Sequence, residues 1–469
     1  MRRTERVVGA GLLAAAVLWW LLVPSYPNYD AYYHLVWGRE LLDGITPSFE
    51  AYAAPTQHPL YVAYAALVGL AGEDADGLLV VTTLLCLVAL VWGTWRLGLA
   101  LFGVWPALLA TVFVGSSFAF LLYAVRAYVD VPFLALVVWA AVREAEGRRG
   151  AAGLLALAGL LRPEGWILAG LLWLWRWPAA DTGRRVRGAL LVLVAPAIWC
   201  LVDLVVTGNP LHSVTATSSL AEDLGRERGI AKVPRLFVTQ LADVARPPVA
   251  LAGVIGAVLA VRRFGPRAMA IPLAMLGAGV LAFIGTGVLG LSILPRYLTV
   301  PAVALCLFAG YAVAGFTLLP AGDRRRRPWG AAAVGALVVG AVFLVVKLGS
   351  FATLADELRF GREMHDDLRA LLDTPEVRAG MACGPITFPN YRLVPDTRWM
   401  LDAPRTDVGA RSARRRDRGV AVFTVGRETL RRYGFADGAS PLTNVPDPGF
   451  APVVRVRRLS AYAACPDPR

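Results

Sequence analysis

Long apolar runs alternate with short polar segments along most of the chain. Most of these runs approach the roughly 20 residues that a helix needs to cross the hydrocarbon of a bilayer. This pattern predicts an all-α polytopic membrane protein. The clear apolar runs cover residues 7–23, 77–101, 104–125, 130–143, 187–207, 237–261, 268–290, 297–320 and 329–349.

Two further apolar segments are ambiguous. The run 59–71 is too short to span comfortably, and the run 151–177 is interrupted by Arg162-Pro163-Glu164-Gly165. We predict that 151–161 and 164–177 form two short helices. The distribution of charge along the chain decides whether the segment 59–71 spans the membrane.

Basic residues in short loops orient a membrane protein, because such loops stay in the cytoplasm. If 59–71 lies along the outer face, the basic stretches 143–149, 176–187, 262–267 and 324–327 all fall on one side. If 59–71 spans, they all face outward. The pattern therefore favours about eleven spans, a cytoplasmic N-terminus and an interfacial helix at 59–71. The first run lacks a small-x-small cleavage site after it and is predicted to be a retained helix.

This topology divides the chain into two predicted domains. Residues 1–349 form the transmembrane domain, and residues 350–469 form a small extracytoplasmic α/β domain. The second domain is predicted to contain a helix near 353–372 and strands near 420–425 and 452–457.

Composition agrees with a membrane protein, since hydrophobic residues make up 57% of the chain and charged residues only 17%. The net charge of +13 comes mostly from arginines between apolar runs, so it indicates orientation, and nucleic acid is not expected as a partner. The five cysteines show no metal-ligand spacing. Cys383 and Cys465 lie in the polar tail, and the sequence leaves open whether they pair or remain free thiols.

The first outer loop holds several candidate site residues. Asp30 follows the first apolar run by a few residues, within Tyr29-Asp30-Ala31-Tyr32-Tyr33-His34, and His58 precedes the short helix. A capping role would also explain Asp30. A second acid, Asp130, begins another span on the same side, although Asp at a helix start is also ordinary capping.

Charged and polar residues at other outer positions extend this set. Arg162 and Glu164 interrupt an apolar segment, where each charge costs about 2.5–3.5 kcal/mol on insertion scales. They would either serve a site or simply pair with each other. Arg296 and Tyr297 open another span, where snorkelling is the simple alternative. His212 lies in an outer loop beside the same surface.

Taken together, these residues resemble the GT-C superfamily of membrane glycosyltransferases. An acid after the first helix, a Tyr-rich interfacial helix and His58-Pro59-Leu60-Tyr61 carry the resemblance. Asp130, the Leu161–Gly165 stretch and Pro295-Arg296-Tyr297 are similar to the ArnT and protein O-mannosyltransferase branch. The resemblance covers the layout of residues 1–349. It implies an outward-facing site that uses a polyprenyl-phosphate-linked sugar, with Asp30 and Asp130 as catalytic acids and Arg296 at the carrier phosphate. The remaining candidate substrate-binding residues are Tyr33, His34, His58, Arg162, Glu164, His212 and Tyr297.

The sequence departs from several family members at Ala31, where they have a second acidic residue. One carboxylate fewer weakens a divalent site, so the use of a metal cofactor stays open. The leading hypothesis is an inverting glycosyltransferase in which Asp30 is the general base. Its acceptor is a glycan, a lipid or a protein, and membrane lipids surround it. The alternatives are a transporter or lipid flippase, favoured by the acid Asp203 within a span, and a non-catalytic scaffold.

Overall fold

The computed structural model describes residues 11–14, 16–18, 23, 25–434 and 441–465. The predicted first span 7–23 therefore lies partly outside the described residues, and its described residues 11–14 and 16–18 are helical. The other α-helices are Tyr29–Leu42, Pro59–Gly69, Ala75–Phe102, Val104–Gly115, Phe118–Val125, Asp130–Ala145, Ala151–Gly159, Glu164–Arg176, Thr182–Thr207, His212–Asp223, Val233–Ala245, Pro247–Phe264, Ala270–Val288, Thr299–Ala314, Arg326–Leu372, Pro375–Met381, Val394–Leu401 and Arg427–Thr429.

Several of these helices can cross a membrane. Within the described residues, six are long and apolar enough, and one bent pair would add a seventh. The Thr299–Ala314 helix lies at the centre of the bundle, with nearly all its side chains buried. By contrast, Thr182–Thr207 exposes most of its apolar side chains, as expected of a helix that faces lipid. The structure confirms a polytopic helical protein with a small C-terminal sheet.

Some predicted spans are divided in the structure. The run 104–125 forms two helices that meet at 53° around Ser116–Ser117. The run 237–261 is interrupted at Arg246, which has a φ of 63° and precedes the consecutive prolines Pro247 and Pro248. A proline disfavours the α conformation of the residue before it, which explains the break at Arg246. The predicted division of 151–177 into two short helices is confirmed.

The two helices of the first outer loop pack closely on one another. Asn28 caps the Tyr29–Leu42 helix, since its Oδ1 accepts a hydrogen bond from the Ala31 amide at 3.1 Å. The Pro59–Gly69 helix crosses it at Gly38, where a Cβ atom would lie 2.5 Å from the Ala66 nitrogen. The predicted helix at 59–71 is thus present, and only glycine permits this approach.

The last long helix runs through the predicted domain boundary. Arg326–Leu372 is continuous for 47 residues, so the predicted span 329–349 and the predicted helix 353–372 are one element. The helix then enters the C-terminal unit, where Met364, Leu368 and Leu371 pack against the sheet.

The C-terminal sheet has five strands, which are β1 Ile386–Phe388, β2 Val408–Ala410, β3 Gly419–Thr424, β4 Ala451–Val456 and β5 Leu459–Ala464. Their order in the sheet is β2-β1-β3-β5-β4. The first three in that order are parallel, and β5 joins β3 and β4 antiparallel. The predicted strands near 420–425 and 452–457 correspond to β3 and β4. Cys383 and Cys465 form a disulfide with a Cα–Cα distance of 5.3 Å, which settles the pairing that the sequence left open.

Ion pairs and hydrogen bonds fix this unit to the Tyr29–Leu42 helix, which is the first interfacial helix of the predicted topology. Arg398 is 1% exposed, and its guanidinium donates to Glu40 at 2.6 Å and to Ser48 at 2.9 Å. In the other direction, Arg39 donates to the backbone oxygens of Arg398 and Trp399 at 2.8 and 3.0 Å. The helix that holds Asp30 is therefore held from its C-terminal half by the sheet unit.

Candidate active site

Asp30 forms an ion pair with Arg296. Asp30 lies in the first turn of the Tyr29–Leu42 helix, and Arg296 lies in the one-turn helix Pro295–Leu298. The Nη1 atom of Arg296 donates to Oδ2 of Asp30 at 3.0 Å, and both side chains remain partly exposed. Since Asn28 caps this helix, the alternative that Asp30 is merely the cap is wrong.

His34 and His58 stack behind this pair. Nδ1 of His34 donates to the Asp30 backbone oxygen at 2.5 Å, one helical turn back. The two imidazole rings are 5.3 Å apart and nearly parallel, and the Tyr61 ring meets His34 edge-on at 4.9 Å. Burial lowers the pKa of His34 from 6.5 to about 4 and that of His58 well below its usual range. Both rings are therefore neutral at pH 7.

A second cluster consists of Asp130, Arg162 and Glu164. Arg162 lies in the break between two short helices, and Asp130 begins the Asp130–Ala145 helix. Arg162 donates to Oδ1 of Asp130 and, at 2.8 Å, to Oε1 of Glu164. All three side chains are almost fully buried. The predicted pairing of Arg162 with Glu164 is confirmed. Because Arg162 also holds Asp130, pairing with Glu164 alone does not explain its position.

Tyr297 joins the two clusters. Its ring lies 4.9 Å from the Arg162 guanidinium carbon and 6.0 Å from that of Arg296. Three acids and two arginines thus form one connected network.

Two candidate substrate-binding residues, Tyr33 and His212, have other surroundings. Tyr33 is buried among Tyr29, Trp37 and Phe49, and its hydroxyl donates to the Tyr52 oxygen at 3.3 Å. His212 begins the His212–Asp223 helix, and no described hydrogen bond, ion pair or ring contact joins it to the network.

Asp203 is engaged by the start of that same helix. Its carboxylate accepts the Ser213 amide at 2.7 Å, the Ser213 hydroxyl at 2.9 Å and the Gln57 amide at 3.2 Å. Asp203 lies near the end of Thr182–Thr207, not in its middle. A satisfied capping carboxylate removes the main support for a transporter.

Arg126 is a site residue that sequence reasoning missed. It follows the Phe118–Val125 helix, and its guanidinium carbon lies 4.2 Å from the centre of the Tyr26 ring. In the described part of the chain it forms no ion pair, and its buried Nε has no hydrogen-bond partner. A lone arginine at the end of an apolar run resembles a snorkelling residue, which hid it in the sequence.

Asp30 and Arg126 line the same cavity, which we call the Asp30 cavity. Its volume is about 440 Å³, and it lies between the first interfacial helix and the C-terminal unit. Tyr26, Tyr391, Asp396 and Arg431 are among its other lining residues. Burial raises the pKa of Asp396 to about 7, so its carboxyl holds a proton more readily than usual.

The described residues do not fit a divalent-cation site at Asp30. Nowhere in the described ranges do three His, Cys, Asp or Glu side chains converge as a metal-ligand group. Moreover, one oxygen of Asp30 and one of Asp130 already accept from guanidinium groups.

Comparisons with solved structures identify the architecture. ArnT from Cupriavidus metallidurans, in a structure bound to undecaprenyl phosphate, matches with a TM-score of 0.54 at 15% identity, over 99% of this chain and 100% of ArnT. An Archaeoglobus fulgidus oligosaccharyltransferase, tethered to an acceptor peptide, matches with a TM-score of 0.51 at 12% identity, over 98% of this chain and 74% of that one. The chain has the GT-C fold.

The resemblance stated from the residues is thereby confirmed at the level of fold. It also extends further than the sequence indicated, because the match to ArnT includes the C-terminal unit as well as residues 1–349. At the level of sequence, no family model and no curated protein matches this chain.

Proposed function

We propose that this GT-C protein is a glycosyltransferase that moves a sugar from a polyprenyl-phosphate-linked donor to an acceptor hydroxyl. The observation that carries the proposal is the Asp30–Arg296 ion pair, of which Asp30 lines a polar cavity at the first interfacial helix. The transferase requires a base for the acceptor and a cation for the departing phosphate. This pair supplies one of each.

An apolar groove near the pair suits the polyprenyl chain of the donor. This Tyr61 groove has a volume of about 540 Å³ and is lined by Tyr61, Tyr64, Pro132, Trp139 and Leu161, among others. Tyr61 contacts His34, which bonds the Asp30 backbone, and Leu161 adjoins Arg162. The undecaprenyl phosphate bound by ArnT is a lipid of this chemistry.

The acceptor is expected to enter through the Asp30 cavity. That cavity is lined largely by tyrosine, arginine and carboxylate side chains, and it faces the C-terminal unit. Polar and aromatic walls match a sugar, or a hydroxyl-bearing headgroup, better than a hydrocarbon chain. Donor and acceptor would then meet at Asp30 from opposite sides.

The reaction is a single displacement. The Asp30 carboxylate takes the proton of the acceptor hydroxyl, and the oxygen attacks the anomeric carbon of the sugar. The bond from that carbon to the phosphate oxygen breaks, and the polyprenyl phosphate leaves with the electron pair. Arg296 stabilises the negative charge that develops on this phosphate. One displacement from the opposite face inverts the anomeric configuration.

Asp130 is proposed to act through the arginines. Its side chain is fully buried and ion-paired with Arg162, so it does not face the Asp30 cavity. We assign it as a positioning residue that holds Arg162, whose guanidinium contacts the same Tyr297 ring as that of Arg296. His34 and His58 are assigned to orienting the Asp30 turn, because His34 holds its backbone oxygen.

We further propose that the site faces the outside of the cell membrane. The short basic loops support this orientation through the positive-inside rule. The Cys383–Cys465 disulfide supports it independently, since disulfides persist mainly in oxidising compartments.

The test is complementation of a strain that lacks the protein, read out by mass spectrometry of its envelope glycans and glycolipids. The wild-type protein should restore one glycosylated species, and Asp30→Asn should fail to restore it at equal protein level. In isolated membranes, turnover of the polyprenyl-phosphate-sugar should fall by about 10²–10⁴-fold, as expected when a general base is lost. The matched control is Asp43→Asn, at the exposed C-terminal end of the same helix.

Two outcomes would contradict different parts of the proposal. Unchanged glycans and glycolipids in the strain without the protein would overturn the transferase itself. Full turnover by Asp30→Asn would overturn only the assignment of the base.

A further inference from the structure

A basic cavity lies at the other end of the bundle from Asp30. Glu144 is near the end of the helix that Asp130 begins, about 21 Å away for 14 residues of helix. Around it, the loops 146–150 and 177–181 enclose a cavity of about 600 Å³. We call it the basic cavity, and its cationic lining residues are Arg148, Arg149, Arg176, Arg184, Arg185 and Arg187.

Only part of this charge is compensated. Arg148, Arg176 and Arg184 each pair with a nearby carboxylate. Arg149 and Arg187, by contrast, form no hydrogen bond or ion pair within the described residues. Arg185 donates to the Trp177 oxygen at 3.3 Å and lies over the Trp177 ring, again without a carboxylate. Three arginines of one cavity are thus available to an anion.

The basic cavity adjoins an apolar groove that runs into the bundle. This inner groove has a volume of about 540 Å³ and is lined by Val137, Ala141, Leu168, Ile271, Ala274 and Met275, among others. Glu144, Leu172 and Trp175 line both the groove and the basic cavity. A charged compartment therefore adjoins an apolar one, and Arg267 adds another cation to the lining of the groove.

Tryptophans mark the level of the membrane surface here. Trp173, Trp175 and Trp177 all line the basic cavity, and Trp175 and Trp177 are largely exposed. Tryptophan is enriched where hydrocarbon meets headgroups, because its ring is apolar and its N–H is polar. The boundary between cavity and groove thus coincides with the boundary between headgroup and acyl chain.

We propose that this pair of compartments binds an anionic glycerophospholipid of the surrounding bilayer. Its phosphate would lie among Arg149, Arg185 and Arg187, and one acyl chain would lie in the inner groove. The positive-inside rule accounts for basic loops here, but it does not account for their convergence on one cavity with an apolar extension. Arginine forms bidentate hydrogen bonds to phosphate. Three such arginines in one cavity therefore favour a specific phosphate site over a diffuse attraction of anionic lipids to the surface.

Native mass spectrometry of the full-length protein tests the site. The probes are phosphatidylglycerol and phosphatidylcholine with identical acyl chains, so that only the headgroup charge differs. The wild-type protein should retain phosphatidylglycerol preferentially, and Arg149→Gln/Arg187→Gln should weaken that retention by roughly tenfold or more. The matched control is Arg324→Gln/Arg327→Gln, which removes the same charge from another basic turn and should keep the preference.

A second variant tests the groove without touching the arginines. Ala274→Trp fills the inner groove and should reduce phosphatidylglycerol retention although the basic cavity is intact. Equal retention of both lipids by the wild type would overturn the proposal, as would an equal loss in the Arg324/Arg327 control. Displacement of the lipid by millimolar inorganic phosphate would show a site for a soluble anion. Full retention by Ala274→Trp would show that the inner groove does not hold the acyl chain. Either result would overturn the proposal as well.

Discussion

Arg296 and Asp30 are 266 positions apart in the sequence, yet the guanidinium of one donates to the carboxylate of the other at 3.0 Å. The contact joins the first interfacial helix to the start of a central span. Because both side chains stay partly exposed, the pair can still contact a ligand.

We expect Arg296→Gln to lower the rate of sugar transfer by about 10²–10³-fold, as for the loss of one group that stabilises developing charge. Arg296→Lys should restore only part of the rate, since a point charge cannot match the fork of a guanidinium. The measurement is donor turnover by purified protein in liposomes, with kcat and KM separated. Arg235→Gln, an exposed arginine paired with Glu227, is the control. An unchanged kcat in Arg296→Gln would contradict the role at the phosphate.

The buried network around Arg162 should be costly to break. Arg162→Met leaves Asp130 and Glu164 as two buried carboxylates without a cation, which typically costs about 3–5 kcal/mol. The midpoint of thermal unfolding in detergent should fall accordingly. Arg176→Met removes a largely exposed arginine paired with Glu144 and should cost no more than about 1 kcal/mol.

A neutralised variant separates charge from shape in this network. Asp130→Asn/Arg162→Met/Glu164→Gln removes all three charges and should be more stable than Arg162→Met alone. If Arg162→Met melts together with Arg176→Met, the network does not hold the site.

The sequence predicted which charged residues lie on one side of the bundle better than it predicted their contacts. Positive loops placed Asp30, Asp130, Arg162 and Arg296 on one side, and proximity in the sequence indicated the Arg162–Glu164 pair. Neither signal could reveal that Arg162 also holds Asp130, because that contact depends on how two helices pack. Tyr33 lies close to Asp30 in the sequence, but its ring packs in an aromatic cluster. Proximity in the sequence therefore does not place its side chain beside the Asp30 carboxylate.

The predicted helix boundaries were wrong where tertiary packing outweighed the local hydropathy pattern. The apolar run 329–349 predicted a span separate from the helix near 353–372, but one helix continues to Leu372 because its later turns pack on the sheet. Hydropathy also joined the two helices that Arg246 separates, since both flanking segments are apolar. Average hydropathy contains no information on a single residue with positive φ.

Gly38 is expected to be sensitive to the smallest side chain. Gly38→Ala places a methyl group 2.5 Å from the Ala66 backbone, so the two interfacial helices must separate. Overpacking of this kind costs about 1–3 kcal/mol, and we expect loss of transfer activity because Asp30 lies on one of these helices. Unfolding midpoints and turnover are both measured. Gly77→Ala, a helical glycine with open space around it, is the control, and equal behaviour of the two variants would contradict the prediction.

The pH dependence of stability should report the buried His34. Its pKa is lowered by burial from 6.5 to about 4, so the folded protein keeps His34 neutral in a range where the unfolded chain is protonated. The unfolded state binds more protons between about pH 6.5 and pH 4, and stability therefore falls as the pH falls through that window. For this one group the loss amounts to about 3 kcal/mol across the window.

The difference between wild type and His34→Gln isolates this contribution. Unfolding midpoints at pH 7 and pH 5 should differ less in His34→Gln than in the wild type, whatever the absolute stability of the variant. His212→Gln, in which a partly exposed histidine is replaced, should retain the slope of the wild type. A wild-type slope in His34→Gln would show that His34 is protonated alike in the folded and unfolded states.

The Cys383–Cys465 disulfide should stabilise the C-terminal unit and report its compartment. The bond spans 82 positions of sequence, and removal of such a cross-link typically costs about 2–5 kcal/mol. Cys465→Ser should therefore make residues 383–465 more sensitive to limited proteolysis, whereas Cys200→Ser, which removes a free cysteine, should not.

The same bond tests orientation in intact cells. After mild reduction, a membrane-impermeant maleimide should label Cys383 and Cys465 if the unit lies outside, and this labelling should be lost in Cys383→Ser/Cys465→Ser. Labelling that appears only after the cells are opened would place the unit in the cytoplasm. Asp30 would then lie there with it, because Arg39 and Arg398 fix the two to each other.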